Sequence, residues 1–284
     1  MLAYTQDDVY FERMKSSIGD KAEMIQYIKP NRVLDVGAGG GEFAAMLEKE
    51  GFDVVALDGS REAINRCSAR GLRTVEGFTH QISELVPADY FDTITCSSIL
   101  HEVYSYGNGT SGSAHTLDSL RTTFAEFKHA LKADGRLVIR DGIMPTEWDG
   151  YVELEFDDPY GMHIAQLYLD MIPFRGTNMR EVNLWKKHNA KNVAIGNMES
   201  AMEFLYTYTW GVQNFERETQ ELFGVFTLEG YKQFLTENGF RILHAEEYLQ
   251  EGYPEHLKDK VRLTRNGEPV EYPNSNCLIV AEVA

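Results

Sequence analysis

The stretch Val33-Leu34-Asp35-Val36-Gly37-Ala38-Gly39-Gly40-Gly41-Glu42-Phe43 limits the possible folds more than any other part of this chain. Arg32 to Val36 is a short apolar run ahead of the glycines and predicts a buried strand. Glu42 to Glu50 places Phe43, Met46 and Leu47 on one face and predicts a helix, with Gly51 as its stop. A glycine turn between a strand and a helix lets a ligand approach the backbone, because no Cβ atoms stand in the way. The helix start adds free amide donors. Asp58 then ends the next predicted strand, Asp53 to Leu57. A carboxylate at that place can accept from both hydroxyls of a ribose. Glycines alone also fit a tight turn with no ligand. A dinucleotide site is the other competitor. It is disfavoured because Asp35 would face a pyrophosphate, and because the spacing is Asp-x-Gly-x-Gly-x-Gly rather than Gly-x-Gly-x-x-Gly.

The alternation continues downstream. Arg61 to Arg70 predicts a helix with Ser60 as N-cap and Gly71 as stop. Arg73 to Glu76 and Phe91 to Cys96 predict strands. Leu117 to Leu131 predicts a long amphipathic helix through Leu117, Leu120, Phe124, Phe127 and Leu131, and Arg136 to Ile139 a fifth strand. The rhythm stops at Pro145. It resumes at Thr227 with a helix to Asn238-Gly239, a strand from Phe240 to His244 and a last strand from Cys277 to Val283. Strands alternating with helices imply an α/β fold: a doubly wound, mostly parallel seven-stranded sheet. The expected division is a main domain of residues 1–144 and 227–284, with residues 145–226 inserted as an aromatic-rich helical cap. Gln250 to Asn276 reads as a hairpin or loop. Met1 to Ile28 reads as a helical lead-in through Val9, Phe11, Met14, Ile18, Met24 and Ile28.

The formal net charge of -17 opposes a long nucleic-acid partner unless a basic patch is present. The densest basic stretch, Trp185 to Lys191, is short and fits a solvated helix end. No apolar run is long enough to span a bilayer, and the N-terminus lacks a secretory pattern. The 3 cysteines, Cys67, Cys96 and Cys277, show no disulfide or zinc spacing. The expectation is a cytoplasmic protein with no metal centre and no membrane association.

The glycine motif and its acidic partner resemble the class I S-adenosylmethionine-dependent methyltransferase family, small-molecule-type branch. The resemblance spans roughly Arg32 to Ile143 and Thr227 to the end. It implies a Rossmann-like fold and S-adenosyl-L-methionine as cofactor, leaving S-adenosyl-L-homocysteine as product. Asp35, Gly37, Ala38, Gly39 and Gly41 match the first family motif, and Asp58 with Gly59 the second. Asp35 suits the ammonium of the cofactor. Gly77-Phe78-Thr79 stands where the family commonly has Gly-Asp-Ala, so Phe78 replaces the acid that holds the adenine and either stacks on the ring or fills core. Ser97 and Ser98 match the small-residue turn beside the methionine end. Serines there, rather than carboxylates, disfavour metal-dependent members of the family.

Ligands of an open parallel sheet bind beyond the carboxyl ends of its strands. Methyl transfer needs an aligned nucleophile and often a base. His101 is the candidate general base, with Glu102 as alternative base or orienting partner; His101 also fits a purely structural strand cap. Tyr104 and Tyr106 shape an acceptor pocket or simply pack. Arg140 and Asp141 pair with each other or contact the substrate. In the insert, Arg217 holds an anionic acceptor or lies on a solvated helix face. The expected acceptor is a small molecule, methylated on oxygen or nitrogen. An RNA or protein acceptor, and a non-catalytic cofactor-binding or scaffold protein, are the rival readings.

Overall fold

A short helix, α1 (Ile18–Ala22), leads to strand β1 (Arg32–Val36), of which only Arg32 is not fully buried. Such a continuous buried run suits a parallel strand covered on both faces. The glycine turn follows and opens α2 (Glu42–Lys49). Then come β2 (Asp53–Asp58), α3 (Arg61–Ala69), β3 (Arg73–Glu76), α4 (Ile82–Leu85), β4 (Phe91–Ser97), α5 (Leu100–Tyr106), α6 (Leu117–Ala130) and β5 (Leu131–Gly142). Ser60 caps α3 as expected, its side chain accepting from Ala63 N. Next are β6 (Tyr151–Phe156), α7 (Pro159–Met171), β7 (Leu184–Lys186), β8 (Val193–Asn197), α8 (Met198–Trp210) and α9 (Phe215–Glu218). The chain ends through α10 (Leu228–Glu237), β9 (Phe240–Tyr248), α11 (Tyr253–Leu257), β10 (Val261–Arg265), β11 (Glu268–Pro269) and β12 (Asn276–Val283). This computed structural model describes residues 18–108, 112–146, 148–173 and 182–284. The lead-in positions Val9, Phe11 and Met14 lie outside the described residues.

Two units are present. The first holds the residues up to Asp141 together with Glu229–Glu246 and Cys277–Ala284. Its sheet has 7 strands in the order β3-β2-β1-β4-β5-β12-β9, and β3 through β5 pair in parallel. This is the expected Rossmann-like arrangement. Strand order reverses between β1 and β4, which opens a crevice beyond their carboxyl ends. Register sets Asp35 beside Thr95 and Ser97 beside Arg140. Phe124 of α6 packs against Phe234 and Phe240, with ring centroids 5.8 and 5.9 Å apart. Burying each such ring contributes roughly 1.5–3 kcal/mol.

The second unit holds Gly142–Leu228 and Glu247–Asn276. The insert differs from the helical cap expected. It contains a 5-stranded sheet, order β11-β10-β6-β8-β7, antiparallel at its recorded pairings, alongside α7 and α8. Val152, Leu154 and Phe156 of β6 are buried and alternate in sequence with Tyr151, Glu153 and Glu155, of which Glu153 is also buried. Residues 247–276 group with this unit rather than with the main domain, because β10 pairs with β6. Among the described residues, no helix is long and apolar enough to cross a membrane.

Candidate active site

The glycine turn is held from β2. Gly37 N and Ala38 N both donate to Leu57 O, at 2.8 and 3.1 Å. Gly37, Gly39 and Gly41 all have positive φ. At Gly37 a Cβ would also lie 2.7 Å from Ile99 Cγ1, so the turn needs glycine there for two reasons. Asp58 Oδ2 accepts from Gly39 N at 2.9 Å and Oδ1 from Ser60 N at 2.8 Å. The carboxylate thus ties the end of β2 to the turn.

Asp35 is 3% exposed. Its Oδ1 accepts from Thr95 Oγ1 at 2.8 Å, while Oδ2 is buried with no hydrogen-bond partner. Burial pushes its carboxyl up to about 6, against the pull of Thr95 and of the Lys21 charge. A lone carboxylate oxygen in that setting is a receptor for a cation.

Phe78 is 44% exposed, which rules out the core-filling role. Its ring lies so near Gly59 that a Cβ there would come within 2.5 Å of it. His80 stacks on Phe78, centroids 5.8 Å apart. Gly77 N donates to Asp58 O at 3.0 Å, which joins this aromatic shelf to the end of β2.

The other side of the crevice comes from β4, β5 and α5. Ser98 has φ 58, and its amide donates to Arg140 O at 2.7 Å. Ser97 is buried and its Oγ has no partner. The stretch 100–106 beyond β4 is helix α5 and carries His101, Glu102, Tyr104 and Tyr106. His101 Nδ1 lies 2.6 Å from Asp141 Oδ1. Asp141 is fully buried, and its Oδ2 accepts from Leu100 N at 2.7 Å. Asp141 thus holds the Nδ1 side of the His101 ring. A Glu102 carboxylate oxygen also lies within 4.8 Å of a His101 ring nitrogen. The expected Arg140–Asp141 pair does not form, because neighbouring strand residues point to opposite faces. Arg140 instead donates to Ser98 Oγ and Asp20 Oδ2, both at 2.8 Å, and is buried. Tyr104 is buried edge-on to His115, and Tyr106 is half-buried.

In the second unit, Arg217 is 14% exposed and lies 3.5 Å from Glu221 and 3.8 Å from Glu218. It is not on a solvated face. The two buried carboxylates oppose its holding an anionic acceptor.

A family described as methyltransferase domain matches residues 10–245 of the sequence. The chain belongs to the methyltransferase domain family. A methyltransferase-named protein of Geobacillus sp. (strain WCH70) is 25% identical over 237 residues, covering 81% of this chain and 82% of that one. A ubiquinone biosynthesis O-methyltransferase of Aliivibrio fischeri (strain MJ11) is 37% identical over 78 residues, 25% of this chain and 33% of that one. Among solved structures, an S-adenosylmethionine-dependent methyltransferase from Archaeoglobus fulgidus superposes with a TM-score of 0.52 at 14% identity, covering 97% of this chain and 100% of that one. The Burkholderia thailandensis 1,6-didemethyltoxoflavin-N1-methyltransferase superposes with a TM-score of 0.50 at 16% identity, covering 96% and 84%. These two likenesses bear on the fold.

This methyltransferase is of the class I, S-adenosylmethionine-dependent kind that its glycine motif resembles. Its residues fit that cofactor. The unpartnered Asp35 Oδ2 suits an ammonium, Asp58 a ribose diol, and the Phe78 ring at the crevice edge an adenine. A Phe78→Ala variant is expected to bind S-adenosylhomocysteine about fivefold more weakly, the order of one aromatic stacking contact. Titration calorimetry checks it; unchanged affinity removes the stacking role. Asp35 gives a pH dependence. Only its ionised form attracts the ammonium, so affinity is expected to hold above about pH 6 and to fall as pH drops through about 6. In Asp35→Asn the binding is expected to be weak at every pH and flat across that window; a wild-type profile that is already flat refutes the assignment.

Proposed function

We propose that this methyltransferase transfers the methyl group of S-adenosylmethionine to an oxygen or nitrogen of a small-molecule acceptor, with His101 as general base and Asp141 as its positioning residue. The observation that carries this reading is the 2.6 Å contact between His101 Nδ1 and Asp141 Oδ1. A carboxylate on Nδ1 keeps the ring proton there and gives Nε2 the basic lone pair. When bound, the cofactor supplies an electrophilic methyl group on a positively charged sulfur. His101 Nε2 then takes the acceptor's proton as its oxygen or nitrogen becomes the nucleophile. Asp141 stabilises the resulting imidazolium and, through Leu100 N, keeps α5 and the ring in place.

Support for a small acceptor comes from charge and from relatives. A net charge of -17 works against polyanions. The Aliivibrio relative is named for O-methylation in ubiquinone biosynthesis, and the Burkholderia neighbour holds a small heterocycle with S-adenosylhomocysteine. The test is transfer from methyl-tritiated S-adenosylmethionine to a panel of phenols and nitrogen heterocycles, run beside total RNA and total protein. Label is expected in one class of small molecule. Label in RNA or protein alone would overturn the reading.

A further inference from the structure

Helix α1 carries two charged residues that the scheme above leaves unused, Asp20 and Lys21. Asp20 Oδ2 accepts from Arg140 Nη2 at 2.8 Å, while Arg140 Nη1 donates to Ser98 Oγ. The Arg140 side chain is 2% exposed and that of Asp20 11%. Breaking a buried pair of this kind is strongly destabilising. It therefore pins α1 to the carboxyl ends of β4 and β5. The same helix packs on α2, the helix that begins at the glycine turn. The charges in the field of Lys21 are Arg140, Glu42 and Asp35, whose Oδ2 is buried without a partner. Among the described residues, Lys21 Nζ makes no hydrogen bond or ion pair. Burial and the Arg140 charge push its ammonium down to about 8, the condition of a cation short of an anion.

An amino-acid zwitterion needs a receptor at each end. Asp35 serves an ammonium and repels a carboxylate. Arg140 has given both terminal nitrogens to Ser98 and Asp20. We infer that Lys21 holds the α-carboxylate of S-adenosylmethionine, opposite Asp35, with the Asp20–Arg140 pair fixing the helix that presents it. This rests on the reading that the glycine turn binds that cofactor. The ligand brings both charges at once, so Asp35 and Lys21 each gain a counter-charge in one event.

The experiment is calorimetric titration of the full chain with three ligands. S-adenosylhomocysteine has both charged ends, its decarboxylated analogue keeps only the ammonium, and 5′-methylthioadenosine has neither. Wild type is expected to prefer S-adenosylhomocysteine over the decarboxylated analogue by about tenfold or more, the size of a charge-assisted contact. In Lys21→Met that preference is expected to vanish, with the other two ligands held within about twofold. Lys21→Arg is expected to restore most of it. If the preference survives in Lys21→Met, or if all three ligands weaken together, Lys21 is not the carboxylate receptor. Wild type binding none of the three would sink the cofactor reading and this inference with it. Wild-type binding with a surviving preference sinks the inference alone.

Discussion

Replacing His101 with alanine is expected to cut turnover at least tenfold, and about a hundredfold where the acceptor is a weak acid, as befits loss of a general base. Affinity for S-adenosylhomocysteine should stay within about twofold, because the glycine turn, Asp35 and Asp58 are untouched. The companion change is Asp141→Asn. Asp141 accepts on one oxygen from His101 Nδ1 and on the other from Leu100 N and, at 3.4 Å, from His101 N. An asparagine has one oxygen. If that oxygen keeps Leu100 N, its NH2 faces the imidazole and moves the ring proton to Nε2, the nitrogen that must be basic. Turnover is then expected to fall as far as in His101→Ala, with circular dichroism unchanged. A merely structural Asp141 would lower thermal stability and leave the pH–rate profile alone. A positioning Asp141 displaces the acidic limb of that profile. Equal turnover in wild type and His101→Ala would take the imidazole out of the chemistry.

Asp58→Ala carries the other large effect, on binding. The Asp58 carboxylate accepts from Gly39 N and Ser60 N. A carboxylate has about four acceptor sites, enough to hold a backbone turn and a sugar diol together. Its removal costs charge-assisted contacts to the diol, each worth about 1.5–3 kcal/mol, and releases the turn it braces. The expected result is affinity for S-adenosylhomocysteine about a hundredfold weaker by calorimetry, with a modest drop in melting temperature. Asp58→Asn should fall between the two, since one oxygen can keep either the turn or part of the diol. A loss below threefold in Asp58→Ala would mean that the ribose is held elsewhere.

The framework was legible wherever local pattern and tertiary demand agree. Strands β1 and β3 run over the residues their apolar runs predicted, and α3 starts at its Ser60 cap. Helix α5 was not legible. His101-Glu102-Val103-Tyr104-Ser105-Tyr106 has no apolar stripe, and the helix is held by tertiary bonds such as Leu100 N to Asp141. The same gap hid the His101–Asp141 pair, which joins residues 40 apart in sequence. Strand β5 begins at Leu131 rather than Arg136, because Asp134-Gly135 reads as a stop, while the structure absorbs it beside an irregularity between Phe91 and Thr93. The length of the insert suggested helices. The alternation of Tyr151-Val152-Glu153-Leu154-Glu155-Phe156 held the strand signal, and antiparallel partners far along the chain supply the rest of that sheet. Lys21 carried no motif; only its placement beside Asp35 gives it meaning.

The position of β12 sets an order of assembly. It lies between β5 and β9 in the sheet, yet it is made about 130 residues after β5 leaves the ribosome. Until then β5 and β9 have no shared neighbour, and each presents an open row of backbone donors and acceptors. The nascent protein thus spends the synthesis of its whole second unit with a slot in its main sheet, a state open to strand insertion by other chains. Closing the slot demands a contact of long sequence separation, which is slow. Deleting Asn276–Val283 should therefore yield a collapsed, aggregation-prone species rather than a trimmed enzyme, and supplying that strand as a separate peptide is a direct way to watch the sheet close.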